Sequence, residues 1–589
     1  MEQKNWKWNG FKTVKEAVDA NTGGLSDEMS AVSDGRSYNV QNLDVLADWI
    51  RYYVQIGTKF FIAGDYDADG VDAVAEFVLL LKEFGASSVQ YAIPRRPDGF
   101  GLSEDIVDRF MEMGGPGVII TVDNGIAAAD AVKKANELGF VTIVTDHHEP
   151  MRRGGQVILP EASLIVDAHV PAELIAKDGS VAGNDFIDYC GAGLVYKLAE
   201  KLLPHGNLVL DKISAMAAIA TVADMVPLRG DNRNIYRTGV EAIRRRRITR
   251  GLQTIVDLLN VNNVIDEGKI GFNIGPMLNA PGRVRPDGGE ISVKALLSEN
   301  WEEARALAQE LESLNEQRKK LKAEGVARAL KIVDDECLYG CNPIVIYDPE
   351  TPEGIVGLVA GELTERFYAA SVVLTDSEKD PTVVKGSARA PEYESIISGL
   401  ETVKDAHPEY IEKFGGHKGA AGVTVKKDVF EAFADEIQTA MGDPKPKPDE
   451  ESFDVETTPE NMVDTVEEVM KYAPYGIGNP PVVVKVSGFR LKPVGNVLYS
   501  GVMDDTGVKF NGGNGCTAIA FGQMQKYLKL RSPEVLDLIG VLSYNRFGGR
   551  TSPQMQVTDM RAADVKPAAL GALQGSMSEA LRQKGLIMF

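Results

Sequence analysis

Three apolar runs in the first 150 residues each end on acidic or histidine side chains. KFFIAG precedes Asp65, Asp67, Asp69 and Gly70; GVIITV precedes Asp123, Asn124 and Gly125; FVTIVT precedes Asp146, His147 and His148. Such a run reads as a buried strand, and in an open, mostly parallel α/β sheet the carboxyl ends of strands face one crevice. Carboxylates gathered there without a cation repel and force protons onto one another. Two divalent ions remove that cost, one activating a water and the pair clamping a phosphate for in-line displacement. A lone Asp-rich turn such as DYDADG is commonly a solvated loop or a weak calcium site, but it lacks the closing Glu of an EF-hand loop. With two of the six histidines adjacent directly after a strand, the three clusters together point to a metal centre. Oxygen ligands with one or two imidazoles, and no cysteine nearby, suit Mn2+ or Mg2+ over structural zinc.

Four further segments offer chemistry. Asp224 follows the apolar stretch AAIATVA, where a carboxylate is either a helix cap or another ligand. GPMLNAPGR sets Asn279 and Arg283 beside glycine and proline turns, and a guanidinium on a rigid loop suits bidentate phosphate contact. Ser387 and Arg389 end a strand in GSAR, and His417 sits in the glycine-rich GGHKG. Glycines let a backbone approach a phosphate closely, so two such segments in one small domain favour a polyanion site over plain turns. The run Arg244 to Arg247 with Arg250 reads either as a basic patch or as a solvated helix face.

The elements that must position these residues follow from periodicity. From about 58 to 230 apolar runs alternate with helical stretches such as Val71 to Phe84 and Ala127 to Leu138, the pattern of βαβ units on a parallel sheet. Residues 302 to 333 place Ala304, Leu307, Leu311, Leu314 and Leu321 on one helical stripe, interrupted only at Gly325, as a helix connecting two domains. A second α/β unit follows with NPIVIYD, a helix over Ile355 to Phe367, SVVLTD and TVVKGSAR, ending near Met441. The Pro- and charge-rich stretch from Gly442 to Glu451 reads as a semi-rigid linker, and the short strands beyond it as a small β-barrel. Residues 1 to about 45 are weakly patterned and are expected to form an arm over the first domain.

At 589 residues the chain exceeds one core and suggests three or four units. No apolar stretch is long enough to span a bilayer and the first residues lack a signal-peptide core, so a cytoplasmic location without membrane contact is expected. Four scattered cysteines make no disulfide framework, and Cys337 and Cys341 are expected to be buried thiols. The net charge of −22 is unevenly spread: residues 470 to 589 hold 14 Lys and Arg against 7 Asp and Glu, a local +7 that leaves −29 elsewhere. The positive end suits a polyanion. Phe489, Tyr499, Phe510, Phe521 and Tyr544 are its candidate stacking residues, although most are expected to be core.

The order DYDADG, VDNG, DHH, ADMVP, LNAPGR, EGIVGLVAG, GSAR, GGHKGAAG and PYGIGNP resembles the DHH phosphoesterase superfamily, and within it the single-strand-specific exonucleases, from about residue 55 to 480. The resemblance implies two α/β domains of DHH and DHHA1 type, joined by a long helix around a central cleft, and a C-terminal OB-like β-barrel. The segments are then an arm at 1–45, a DHH catalytic domain at 46–300, a connecting helix at 301–335 and a DHHA1-type substrate-binding domain at 336–441. A linker at 442–452, an OB-like nucleic-acid-binding domain at 453–565 and a tail at 566–589 complete the chain. It implies Asp65, Asp67, Asp69, Asp123, His147 and Asp224 as ligands of two divalent cations, Mn2+ or Mg2+. Asp123, His147 and His148 would be catalytic, His148 close to the scissile phosphate. Asn279, Arg283, Ser387, Arg389 and His417 would join His148 in holding nucleic acid. Small pyrophosphatases of the superfamily have a histidine at the position of Ala63, which disfavours that branch, and Ala390 stands where relatives commonly have serine.

The expected activity is 5′ to 3′ degradation of single-stranded DNA to mononucleotides in repair and recombination, alongside a helicase or single-strand-binding protein. The alternatives are a phosphodiesterase for short RNA or cyclic dinucleotides, and an inactive replication scaffold. The appended barrel argues against the first, and the retained acidic motifs against the second.

Overall fold

Five short apolar segments build the first sheet: β1 (Phe60–Ala63), β2 (Val89–Ala92), β3 (Val118–Val122), β4 (Val141–Asp146) and β5 (Leu164–Asp167). Strands β1, β3 and β5 are buried at every residue, as a parallel sheet covered by helices on both faces requires. All pairings are parallel, in the order β2-β1-β3-β4-β5. Building starts in one direction from β1 and resumes in the other at β3, so the loops after these two strands part and open a crevice at the switch. The computed structural model describes residues 5–32, 36–96, 99–153, 155–177, 179, 181–262, 264–493, 498–502, 506–547 and 550–563, so the expected tail at 566–589 lies outside the described residues.

Helix α1 (Ala68–Glu83) starts where Asp67 caps it, the carboxylate accepting the Gly70 N–H at 3.1 Å. It packs with α2 (Gly191–Leu202) and α3 (Leu208–Ala223) in one apolar core over the sheet. The connecting helix α4 (Trp301–Asp335) begins at Asn300, whose side chain accepts from the Glu302 and Glu303 N–H groups at 2.8 and 3.2 Å. It runs unbroken through Gly325, contrary to the expected interruption. A Cβ there would sit 2.9 Å from Val359 Cγ2 and 3.0 Å from Thr351 Oγ1, so this glycine admits a close neighbour and does not break the helix.

The second sheet holds β6 (Ile344–Tyr347), β7 (Ser371–Asp376), β8 (Val383–Arg389), β9 (Ile411–His417) and β10 (Ala420–Lys426). Its order is β9-β10-β8-β7-β6, parallel only between β6 and β7, with α5 (Val356–Phe367) packed on it. GGHKG is therefore not a free loop: Gly415, Gly416 and His417 end β9, and the chain turns through Lys418 and Gly419 into β10. Cys337 is exposed and Cys341 half-buried, against expectation, because they sit in the turn that leaves α4. The arginine run is a paired helix end. Arg245 meets Glu241, Arg246 meets Asp257, Arg247 meets Asp211, and Arg250 donates to the Glu299 carbonyl beside Trp301.

Residues Gly35–Lys447 form one unit, and a second joins Met1–Asp34 to Pro448–Phe589. The expected arm over the first domain thus belongs elsewhere. Strand Asn5–Trp8 pairs in parallel with Glu450–Phe453, and Val14, Ala17, Val18 and Met29 enter the core of the C-terminal module. The physical reason is a local apolar face, buried on the helix Val14–Thr22, which periodicity alone assigns to no partner. That module carries seven strands in one sheet, with Val483–Arg490, Val535–Phe547 and Arg550–Ala562 adjacent at its centre. Phe489 and Phe510 are fully buried in it, Tyr499 and Tyr544 pack against its core, and Phe521 is exposed.

Candidate metal centre

The loop after β1 closes tightly on itself, since a Cβ on Gly70 would lie 2.6 Å from the Asp65 backbone nitrogen. That curl turns Asp65, Asp67 and Asp69 toward the crevice. Asp123 follows β3 with φ 61, a left-handed conformation uncommon outside glycine and frequent at functional sites. Asn124 secures it, donating to the Ala63 and Val122 carbonyls at 3.0 and 2.8 Å and accepting the Leu102 N–H at 2.9 Å.

The N-terminus of α2 arrives from the far side. The Gly191 and Ala192 N–H groups donate to the two Asp69 oxygens at 2.6 and 2.8 Å, a charge-assisted grip that fixes this carboxylate. Only glycine fits at 191, because a Cβ would lie 2.5 Å from Asp123 Cβ.

The six predicted ligands converge in two groups, Asp65 with Asp67 and Asp123, and Asp69 with His147 and Asp224, and a third group, Asp123 with His147 and His148, overlaps both; in each the ligand atoms lie within 4.8 Å of one another. The groups touch where His147 Nε2 comes 3.0 Å from Asp123 Oδ1; the same nitrogen is 3.6 Å from Asp69 and 3.7 Å from Asp224. Asp224 is the C-cap of α3, and its carboxylate lies in the second group all the same. Five carboxylates and one imidazole are a hard donor set for two Mn2+ or Mg2+ ions.

Electrostatics supports that fit. Burial, then Asp67, pushes the Asp65 carboxyl up to about 7, and its buried Oδ1 has no hydrogen-bond partner among the described residues. Burial, then the neighbouring aspartates, also raises Asp67, Asp123 and Asp224. Burial lowers His147, leaving the neutral imidazole that a ligand needs. A cation would relieve each of these penalties.

His148 behaves differently. Burial works against its charge, but the hydrogen bond from Nδ1 to Asp146 Oδ1 at 2.8 Å and the carboxylate's charge carry it up to about 9. Asp146 also accepts the His147, His148 and Ile126 N–H groups. It is thus the residue that orients both histidines, a role without a distinct signal beyond its place in the third cluster.

The predicted substrate residues divide. Asn279 is engaged internally, its Oδ1 accepting the Ala68 N–H at 2.8 Å between two ligands. Ser387 and Arg389 form one cradle, with Arg389 Nη1 2.5 Å from Ser387 Oγ and Gly357 at the start of α5 facing both. His417, exposed, lies level with Arg389, since both residues register with Ala420. Arg283 packs against Gly354, three residues before Gly357. Arg96, which sequence reasoning passed over, donates from Nε to the Gly282 carbonyl at 2.9 Å and covers the Tyr66 ring at 4.1 Å. Its only signal was its place in a Pro- and Gly-rich loop.

Comparison with known proteins finds likenesses along most of the chain. Residues 59–223 match the N-terminal domain of the DHH family, residues 341–443 the DHHA1 domain and residues 453–559 the RecJ OB domain. Single-stranded-DNA-specific exonuclease RecJ of Escherichia coli (strain K12) is 32% identical over 435 residues, covering 71% of this chain and 73% of that protein. The protein of the same name from Bacillus subtilis (strain 168) is 31% identical over 538 residues, 90% of this chain and 64% of its own length. The chain thus spans about two thirds of the B. subtilis relative. A crystal structure of exonuclease RecJ bound to manganese is 27% identical with a TM-score of 0.55, covering 68% of this chain and 94% of that one. The Mn2+ complex of RecJ from Thermus thermophilus, 23% identical, shares the fold with a TM-score of 0.72 over 95% of this chain and 80% of that one.

Proposed function

From the premise that this chain belongs to the RecJ family, we propose that it is a metal-dependent exonuclease that degrades single-stranded DNA from the 5′ end to mononucleotides in DNA repair and recombination. The observation that carries this reading is the convergence of two ligand groups through the Asp123–His147 contact. The proposed ions are Mn2+ or Mg2+, on Asp65, Asp67, Asp69, Asp123, His147 and Asp224. When bound, they supply a hydroxide near neutral pH and brace the phosphate oxygens.

The chain's own residues do the rest. Asp69, fixed by the α2 N–H groups, and Asp123, fixed by its backbone, keep the two groups in register. His148, held by Asp146 and half-exposed, offers a proton-bearing edge to a phosphate oxygen. Ser387 and Arg389, with His417 level with them, receive phosphates of the strand, and Arg283 lies on the same path. Asn279 acts as a positioning residue for the first ligand loop. Among the described residues no helix is long and apolar enough to cross a membrane. The expected setting is the cytoplasm, with a helicase or a single-strand-binding protein as partner.

The test is to incubate the protein with Mn2+ and 5′-labelled or 3′-labelled single-stranded DNA and RNA. Mononucleotides released first from the 5′ end of DNA are the expected product; internal cuts, or release from the 3′ end, would refute the assignment.

A further inference from the structure

The connecting helix α4 buries a stripe that includes Leu311, Leu314 and Asn315 and resumes at Gly325. Arg318 falls on that stripe, three residues after Asn315 and seven before Gly325, so helical spacing turns it inward where an apolar residue would be usual. It is half-buried, and its Nε donates to Asn315 Oδ1 at 3.0 Å, which fixes the plane of the guanidinium. The helix treats its other half-buried cations differently. Lys322 meets Glu362 at 2.8 Å and Arg328 meets Asp348 at 2.9 Å. Arg318 has no carboxylate partner among the described residues, in a chain with 85 acidic side chains to choose from.

Among the elements that α4 packs against is the turn Pro281–Val284, which carries Arg283, and the charge of Arg318 reaches that guanidinium. Arg283 has no ion pair among the described residues either; its Nη1 reaches only the Gly354 carbonyl at 3.4 Å. Arg96 bonds the neighbouring Gly282. Burial, then the charge of Arg96, and further that of Arg318, hold Arg283 down at about 10. Asp67 works the other way on Arg283 and Glu316 on Arg318, but neither pairs with its guanidinium, so like charges sharing this partly buried place favour a further anion.

We infer that Arg318 is a phosphate-binding residue, which takes a backbone phosphate of the strand next to the one held by Arg283. The inference rests on the reading of the chain as a single-strand nuclease, and it extends the phosphate path from the Ser387–Arg389 cradle onto the connecting helix. The path is continuous, since Gly354 lies against Arg283 and Gly357 against Ser387 and Arg389.

The test measures binding of the full chain to 5′-phosphorylated single-stranded oligonucleotides in EDTA across a salt series. Arg318→Ala should weaken binding roughly tenfold or more, the effect of losing a charge-assisted hydrogen bond. The slope of log affinity against log salt should fall by about 0.7, one phosphate contact on a single strand. Arg318→Lys should keep the slope and lose part of the affinity, because the charge stays and the fork goes. Replacing single linkages by neutral methylphosphonate should identify one phosphate that matters to the wild type and not to Arg318→Ala. An unchanged slope and methylphosphonate profile in Arg318→Ala, with wild type binding normally, would overturn this assignment alone. Failure of the wild type to bind any single strand would overturn the nuclease reading with it. A purely structural role predicts a lower melting temperature at unchanged slope, and that result also rejects the inference.

Discussion

Gly191→Ala should disable the centre although it adds one methyl group and removes no ligand. The new Cβ would stand 2.5 Å from Asp123 Cβ, 2.8 Å from its Cα and 3.0 Å from its nitrogen. Carbon atoms prefer about 3.5 Å or more, so the two backbones must part by about 1 Å. Neither can move harmlessly. Shifting α2 stretches the 2.6 and 2.8 Å bonds that hold Asp69, and shifting Asp123 draws it from His147 at 3.0 Å. A misplacement of about 1 Å costs on the order of a hundredfold in rate, and a disturbed supporting shell about 10- to 100-fold in metal affinity. The assay is nucleotide release from single-stranded DNA over a Mn2+ titration, with thermal unfolding in parallel. Gly193→Ala, in the same helix, is the control, because the nearest neighbours of its new Cβ, Cys190 and Tyr189, would be 3.6 Å away. If Gly191→Ala keeps more than about a third of wild-type turnover, or if Gly193→Ala loses as much, the argument from close approach is wrong.

Asp123→Ala should abolish hydrolysis without unfolding the chain, because that carboxylate belongs to one ligand group and touches His147 of the other; more than about a tenth of wild-type turnover in excess Mn2+ would refute its role. Arg389→Ala should cost about 1.5 to 3 kcal/mol in affinity for 5′-phosphorylated strands and less for 5′-hydroxyl strands, measured as degradation of both; equal losses would mean a general grip on the backbone. Glu76→Met should raise the melting temperature. Both Glu76 oxygens are buried with no hydrogen-bond partner among the described residues, and burial, then Asp72, raises the carboxyl well above its usual value. A carboxyl raised on folding costs stability as pH climbs above its unfolded pKa, about 4.3, so the gain should be larger at pH 8 than at pH 5, about 1–3 kcal/mol. A loss of stability would show that the carboxyl has a partner.

The acidic and histidine cluster was legible because Asp65, Asp67, Asp69, Asp123 and His147 each follow a local apolar strand, and the parallel topology then gathers those ends without further instruction. Asp224 needed the others, since alone it reads as the cap that it also is. What could not be read depends on approach between distant segments. Nothing near Gly191 announces that Asp123 will press on it, and nothing near Asn279 announces that its side chain will brace Ala68. Arg318 is one charge among many on α4 until it is seen to lack a carboxylate partner among the described residues. Most aromatics of the C-terminal module are expected to be core, as Phe489 and Phe510 are, but strand patterning gives two faces without naming the wet one, so the exposed Phe521 could not be singled out.

The pairing of Asn5–Trp8 with Glu450–Phe453 also sets a timetable for synthesis. A ribosome adding about 5–20 residues per second needs roughly twenty seconds to a minute and a half to pass from the first strand to its partner. Through that interval the segment carrying Trp6, Trp8 and Met29 has left the tunnel while the sheet that will cover it has not been made. The intervening α/β unit can fold meanwhile from its own residues. The newborn chain thus carries an unpaired strand and an open apolar helix face at its leading end, the kind of surface that holding chaperones bind. A rearranged chain in which residues 448–563 are made before residue 5 would remove the wait, and should raise the soluble yield without touching the candidate metal ligands.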